Sequence, residues 1–336
     1  MLGIVRQLEL VAVELAEANR LVSIGRVPQL RLAYLLIDNA SEIIMDREVR
    51  SETHLQGINV ALLRSMSSMN PRAGEEERVA QRLEGLRQRI VPEDKLAEIE
   101  QRFPAKVNFL EERGRLSTHQ GIALRRLHRY RNDMYHGLRL SREVLLPTTL
   151  LYFDLACSML AKWKFQRSWS SAESYMDLAR FGLGPRDLMR DDATEMVASQ
   201  LRSGITFDLN ETREALQVHL LDRLAAIDSA IEFISRNVKD EFEHRDDVIK
   251  LVQLELQSEE LTLDQLRALR FPVSARTLVG WKSRLRKIGD ADDRDGVMAR
   301  FVAMEDAMAR FEDQVLEFAA QVEGMIQYEI DLARGK

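Results

Sequence analysis

The sequence predicts an all-α protein: a helical bundle over residues 1–168, then a C-terminal helical bundle over 185–336. Three observations predict the class. Helix breakers are sparse, with Gly 16 and Pro 7 in 336 residues. Apolar residues recur at three and four, the period of a helix face, rather than at two. Two stretches near the C-terminal end sustain that alternation over many turns.

The elements follow in order. Ile4 to Ala18 reads as a helix. Pro28 suits the start of a second, where its missing N–H costs little. That helix carries Leu30, Leu32, Leu35, Leu36, Ile37, Ile43 and Ile44, a broad face for a core. Asp38, Asn39 and Glu42 interrupt it and read as its polar edge. Leu55 to Met69 is a third helix. Asn70-Pro71-Arg72-Ala73-Gly74 is a turn. Glu75 to Ile90 is a charged helix, and Pro92 and Pro104 bracket a short one. Ser117, with Gln120 three residues on, has capping-box spacing. It opens a helix with the apolar stripe Ala123, Leu127, Tyr130 and Met134. Gly137 follows and suits the left-handed residue that ends a helix. Pro147 is expected to open the next helix, which runs to about Phe165. Residues 166–185 mix Ser, Trp, Gly and Pro and read as the junction. Beyond it, Glu211 to Asn237 and Gly296 to Ala333 are long helices. The second has a heptad seam from Val297 to Met325. A hairpin of these two helices packed in cis is the simpler expectation, and a dimeric coiled coil is the alternative.

Charge narrows the function classes. The formal net charge is −6, which excludes a uniformly basic nucleic-acid binder but not a local basic site. Arginine outnumbers lysine 39 to 9, which reads as genome codon bias. Cys157 is the only cysteine, so an internal disulfide is excluded and a Cys-based metal site is not expected. The first helix carries Glu9, Glu14 and Glu17 and lacks the apolar core of a signal peptide. No window is expected to reach the roughly 18 charge-poor apolar residues of a membrane span. The expected location is the cytoplasm.

One segment carries chemistry. Arg131-Asn132-Asp133-Met134-Tyr135-His136 has the form Arg-x4-His. Spacing alone proves nothing: with variable gaps, Arg47/His54, Arg113/His119, Arg129/His136 and Arg213/His219 also match. Context separates Arg131 and His136 from these. Asn132 follows the arginine, and His136 falls at the expected end of a capped helix with Gly137 behind it. Residues five apart on a continuous helix lie about 140° apart. Ending the helix at His136 frees its imidazole to turn toward the arginine. Residues 113–142 also hold eight arginines (113, 115, 125, 126, 129, 131, 139 and 142) against one acid, Asp133. Either this is a phosphate-binding surface or its arginines pair with acids from other helices.

The string Leu127-His-Arg-Tyr-Arg-Asn-Asp-Met-Tyr-His-Gly137 resembles the HEPN superfamily, whose ribonuclease members carry Arg-x4–6-His. The Gly114-Arg-Leu-Ser117 turn and the early helix Leu30 to Glu42 are similar to the family's as well, and the resemblance spans about residues 27–166. It implies a metal-independent endoribonuclease without cofactors. A histidine would help remove the ribose 2′-OH proton, and Arg131 would bind the phosphate and stabilise the phosphorane. Products would carry a 2′,3′-cyclic phosphate and a 5′-OH. Asn132 would orient the site, and Arg125, Arg126, Arg129, Arg139 and Tyr135 would contact RNA. One imidazole per motif is short for acid–base work, so a homodimer with facing Arg131/His136 pairs is expected. The resemblance further implies a toxin or antiviral defence effector, with an antitoxin or regulatory partner. Tyr two residues after the His, frequent in toxins paired with a nucleotidyltransferase, is here Leu138. The alternative is a non-catalytic helical module that keeps this fold and binds RNA or protein.

Elsewhere the signals are weaker. Glu241-Phe-Glu-His244 lacks a second histidine at zinc spacing. Asp290 to Asp295 lacks the order of a calcium loop. Arg276, Lys282, Arg284, Arg286 and Lys287 form a basic helix with Trp281, read as a solvated surface or a second RNA contact.

Overall fold

A computed structural model describes residues 4–68, 75–135, 142–163, 176–184, 186–187, 190–238, 244–254 and 262–334. Among the described residues the chain is α-helical without strands, as the sparse Gly and Pro and the helical periodicity require. It divides into two units, Met1–Phe207 and Asp208–Lys336.

Unit 1 contains α1 (Ile4–Ile24), α2 (Val27–Thr53), α3 (Gln56–Ser67), α4 (Glu76–Arg89), α5 (Glu93–Gln101), α6 (Phe103–Glu112), α7 (Thr118–Tyr135), α8 (Arg142–Lys162) and α9 (Ala193–Ser203). Its centre is α2, which packs on α1, α6, α7 and α8. Leu30, Tyr34, Ile37, Ile44 and Met45 are fully buried there. Lys106 of α6 is buried too, but its ammonium reaches Glu42 at 2.8 Å and Asp46 at 2.7 Å on α2. A buried cation is tolerated only with such partners.

Helix α7 begins as its sequence dictates. Ser117 N donates to Gln120 Oε1 at 3.1 Å, and Gln120 N donates to Ser117 Oγ at 3.2 Å, the two bonds of a capping box. Helix α8 differs from expectation: Pro147 lies inside it rather than at its start. The hydroxyls of Thr148 and Thr149 donate back to the carbonyls of Val144 and Leu145 beside the proline. Among the described residues one helix, Glu143–Lys162, is long and apolar enough to cross a membrane, contrary to the sequence expectation, and 72% of its most apolar 18-residue window is buried inside the protein. Tyr152, Phe153 and Cys157 are among its core residues.

The division between units falls later than the junction expected at 166–185, because α9 belongs to unit 1. Thr194 donates to the Trp163 carbonyl at the end of α8. Arg202 pairs with Asp154 of α8 at 2.8 Å, and Asn19 of α1 donates to the Leu201 carbonyl.

Unit 2 contains α10 (Leu209–Asn237), α11 (Arg245–Leu251), α12 (Leu263–Ala268), α13 (Ala275–Arg286) and α14 (Arg294–Ala333). The long helices α10 and α14 pack together in cis, but not as a hairpin. Arg213 meets the Ala291 carbonyl, His219 lies beside Phe301, and Arg223 bonds Glu305 and Glu312. Both helices therefore run in the same sense, and the three shorter helices return the chain between them. The heptad seam is buried at Val297, Phe301, Met304, Met308, Phe311, Val315 and Val322, whereas Met325 is 59% exposed.

Candidate active site

The site is built where α2, α7 and α8 meet. Asp38 interrupts the apolar face of α2, and the sequence reading placed it on a polar edge with Asn39. Asn39 is indeed exposed and bonds Glu14. Asp38 is only 2% exposed, so the edge reading fails for it. A buried carboxylate demands partners, and α7 and α8 supply three. His128 Nδ1 lies 2.9 Å from Oδ1, the Tyr152 hydroxyl donates to the same oxygen at 2.8 Å, and Arg131 Nε is 3.5 Å from Oδ2.

This geometry follows from spacing. His128 and Arg131 are three apart on α7 and share a face. A carboxylate oxygen accepts hydrogen bonds, so Nδ1–H of His128 is the donor in this contact. The imidazole stacks on Phe103, centroids 3.8 Å apart. Burial, with the Asp38 carboxylate second, pushes the Tyr152 hydroxyl well above its usual pKa. It stays protonated and donates.

Helix α2 also fixes the end of α7. Arg31 Nη2 donates to the Met134 carbonyl at 2.8 Å, and the Tyr34 hydroxyl donates to the Leu127 carbonyl at 3.0 Å. Carbonyls in a last helical turn lack intrahelical partners, so Arg31 takes up one that would otherwise need water. Arg131 is thereby set in the final turn of α7. Its Nη1 donates to Asn132 Oδ1 at 2.9 Å, and its side chain remains 38% exposed. The Nε–Asp38 contact is an ion contact rather than a hydrogen bond, and the guanidinium is partly exposed to solvent. It can bind an anion bidentately.

Arg131 and Asn132 therefore lie together. His136 and Arg139 lie outside the described residues, as does the side chain of Tyr135; Tyr135 itself is the last described residue of α7. Arg125 pairs with Glu111 at 2.7 Å and bonds Asn108. The Arg126 guanidinium lies over the Tyr130 ring. Arg129 is exposed. Sequence reasoning missed Asp38, His128 and Tyr152. The available signal was an acid at helical spacing from Tyr34, Ser41 and Met45, all buried, whereas Leu32 of the expected core face is 49% exposed. Among the described residues no three His, Cys, Asp or Glu side chains gather as metal ligands do.

No protein-family model, curated protein or solved structure matches this chain.

Proposed function

We propose that this protein is a metal-independent endoribonuclease of the HEPN type, with Arg131 and His136 as its catalytic pair. The observation that carries the reading is the Arg131 guanidinium, oriented by Asp38 and Asn132 at the end of α7 and still open to solvent. In this reading Arg131 grips the scissile phosphate and stabilises the phosphorane. His136 exchanges a proton with the 2′-OH or the leaving oxygen, and Asn132 steadies the arginine. The protein acts as a homodimer with facing Arg131/His136 pairs, in the cytoplasm, as a toxin or antiviral effector held by a regulatory partner. The Asp38-held His128 is a rival source of the second imidazole, within one chain.

The test is incubation of single-stranded RNA with wild type, Arg131→Ala and His136→Ala in EDTA. Cleavage by wild type alone, leaving 2′,3′-cyclic phosphate ends, is expected. Strict dependence on magnesium or manganese contradicts the mechanism. A second reading, a non-catalytic helical module, is favoured by one observation: Asp38, His128 and Tyr152 also close as a satisfied core network. Absence of cleavage with retained RNA binding selects it.

A further inference from the structure

We infer that α13 of unit 2, with the residues that lead into and out of it, is a nucleic-acid-binding surface that grips the phosphate backbone of RNA. The sequence holds the first observation. Unit 2 carries 27 acidic and 18 basic residues, yet residues 265–289 hold seven cations and no acid. Segregation of this kind, within an acidic unit, is the electrostatic footprint of a polyanion site.

The second observation is that these cations are available. Arg267 is tied to Asp247 at 2.7 Å. The other six, Arg270, Arg276, Lys282, Arg284, Arg286 and Lys287, are exposed, and among the described residues their side chains make no ion pair and no hydrogen bond. The acids at this element sit at its two ends: Asp246 accepts from Ala275 N, and Asp290 closes the 3-10 turn Lys287–Asp290. A helix dipole favours cations in a last turn. That accounts for Arg284, Arg286 and Lys287 but leaves Arg270, Arg276 and Lys282 unexplained.

The third observation is how α13 is anchored. Ser274 and Thr277 form its capping box, and Leu278, Trp281 and Leu285 are buried against the rest of unit 2. The cations therefore stand on a fixed element about 18 Å long. With its apolar face already buried, α13 has nothing to insert into a bilayer. The surface offers two large exposed apolar side chains, Val279 on α13 and Leu269 in the segment that leads into it, where a protein interface needs an apolar core. A cationic face with so few apolar side chains matches a phosphate backbone best. RNA as the ligand class rests on the ribonuclease reading of Arg131; the surface itself does not.

The test is anisotropy of a labelled 20-nucleotide single-stranded RNA, titrated with the full chain carrying Arg131→Ala. Lys282→Glu with Arg286→Glu should weaken binding by tenfold or more, in order of magnitude, and flatten the salt slope by about 1.4. The control Arg236→Glu with Arg334→Glu makes the same change of charge in unit 2 on α10 and at the end of α14, outside α13, and should bind nearly as the parent does. All of these positions are exposed, so unfolding midpoints should agree within about 2 °C. Unchanged affinity in the α13 variant, or an equal loss in the control, overturns the proposal. So does α13-dependent binding to phosphatidylserine vesicles or polyglutamate without binding to RNA. Loss of RNA binding in the α13 variant, in a protein whose wild type never cleaves, supports the surface while refuting the nuclease.

Discussion

Two segments of this acidic chain concentrate positive charge, and they use it differently. Residues 113–142 of unit 1 hold eight arginines, and the structure ties several of them down. Arg115 bonds Glu52, Arg125 pairs with Glu111, and Arg131 leans on Asp38. Residues 265–289 of unit 2 hold seven cations, of which, among the described residues, Arg267 alone is tied. A count of charges therefore does not locate a binding surface. What matters is whether acids from neighbouring helices have already taken up the cations. The first segment holds several of its cations against carboxylates, whereas the second leaves its charge facing solvent.

The largest expected effect breaks the comparison on the unit 1 side. Arg131→Ala should lower the cleavage rate by about 10²–10³, the usual loss when one transition-state donor is removed. His136→Ala should do so as well, and gel assays of end-labelled RNA read both. Mixing the two variants tests the facing-pair dimer. Partial recovery in heterodimers supports a shared site. Activity of a monomer that needs His128 would contradict it.

Asp38 comes next. Asp38→Ala leaves His128 and Arg131 without their buried carboxylate and should cost about 3–5 kcal/mol. For a unit of this size that lowers the thermal midpoint by roughly 10 °C. Asp38→Asn keeps an acceptor and should recover part of the stability. It offers Nδ1 of His128 a weaker partner, so the pH profile of any cleavage that uses His128 should move. A profile that does not move would leave Asp38 a purely structural role.

How much of this was legible in the sequence differs between the two segments. The helices, the Ser117 capping box and the buried seam from Val297 to Val322 follow from periodicity and caps, which are local. The hairpin of α10 and α14 was misread because the direction of two packed helices depends on the shorter elements between them. Pro147 was misplaced because the proline rule is local and ignores the neighbouring threonines, whose hydroxyls bond carbonyls of the preceding turn. Asp38 was read as an edge because its partners, His128 and Tyr152, lie 90 and 114 residues away. The basic character of α13 was plain in the sequence. Its availability was not, since pairing is a tertiary property.

A smaller effect sharpens the contrast in charge use. Arg125→Glu reverses a cation that faces Glu111, so it should cost about 1 kcal/mol of stability. RNA affinity should fall much less than in the α13 variant. A larger loss of affinity at Arg125 than at Lys282 and Arg286 would invert the comparison.

The smallest effect concerns pH. Burial, and then Arg223, holds the His219 imidazole below its usual pKa. The folded state thus favours the neutral ring. That contribution is fully present above about pH 6.5 and is lost as pH falls through the lowered folded value. His219→Leu should flatten part of the acid-side loss of unit 2 stability in denaturant titrations between about pH 5 and 7.

The most direct test of the division of labour is steady-state cleavage of one RNA by wild type, Arg131→Ala and the Lys282→Glu/Arg286→Glu double variant at fixed salt. Loss of an interaction made only in the transition state lowers kcat, whereas loss of uniform substrate binding raises KM. The account predicts a fall in kcat for Arg131→Ala and, for the α13 variant, a KM raised by tenfold or more in order of magnitude. A fall in kcat alone for both variants, or an unchanged KM in the α13 variant, would contradict it.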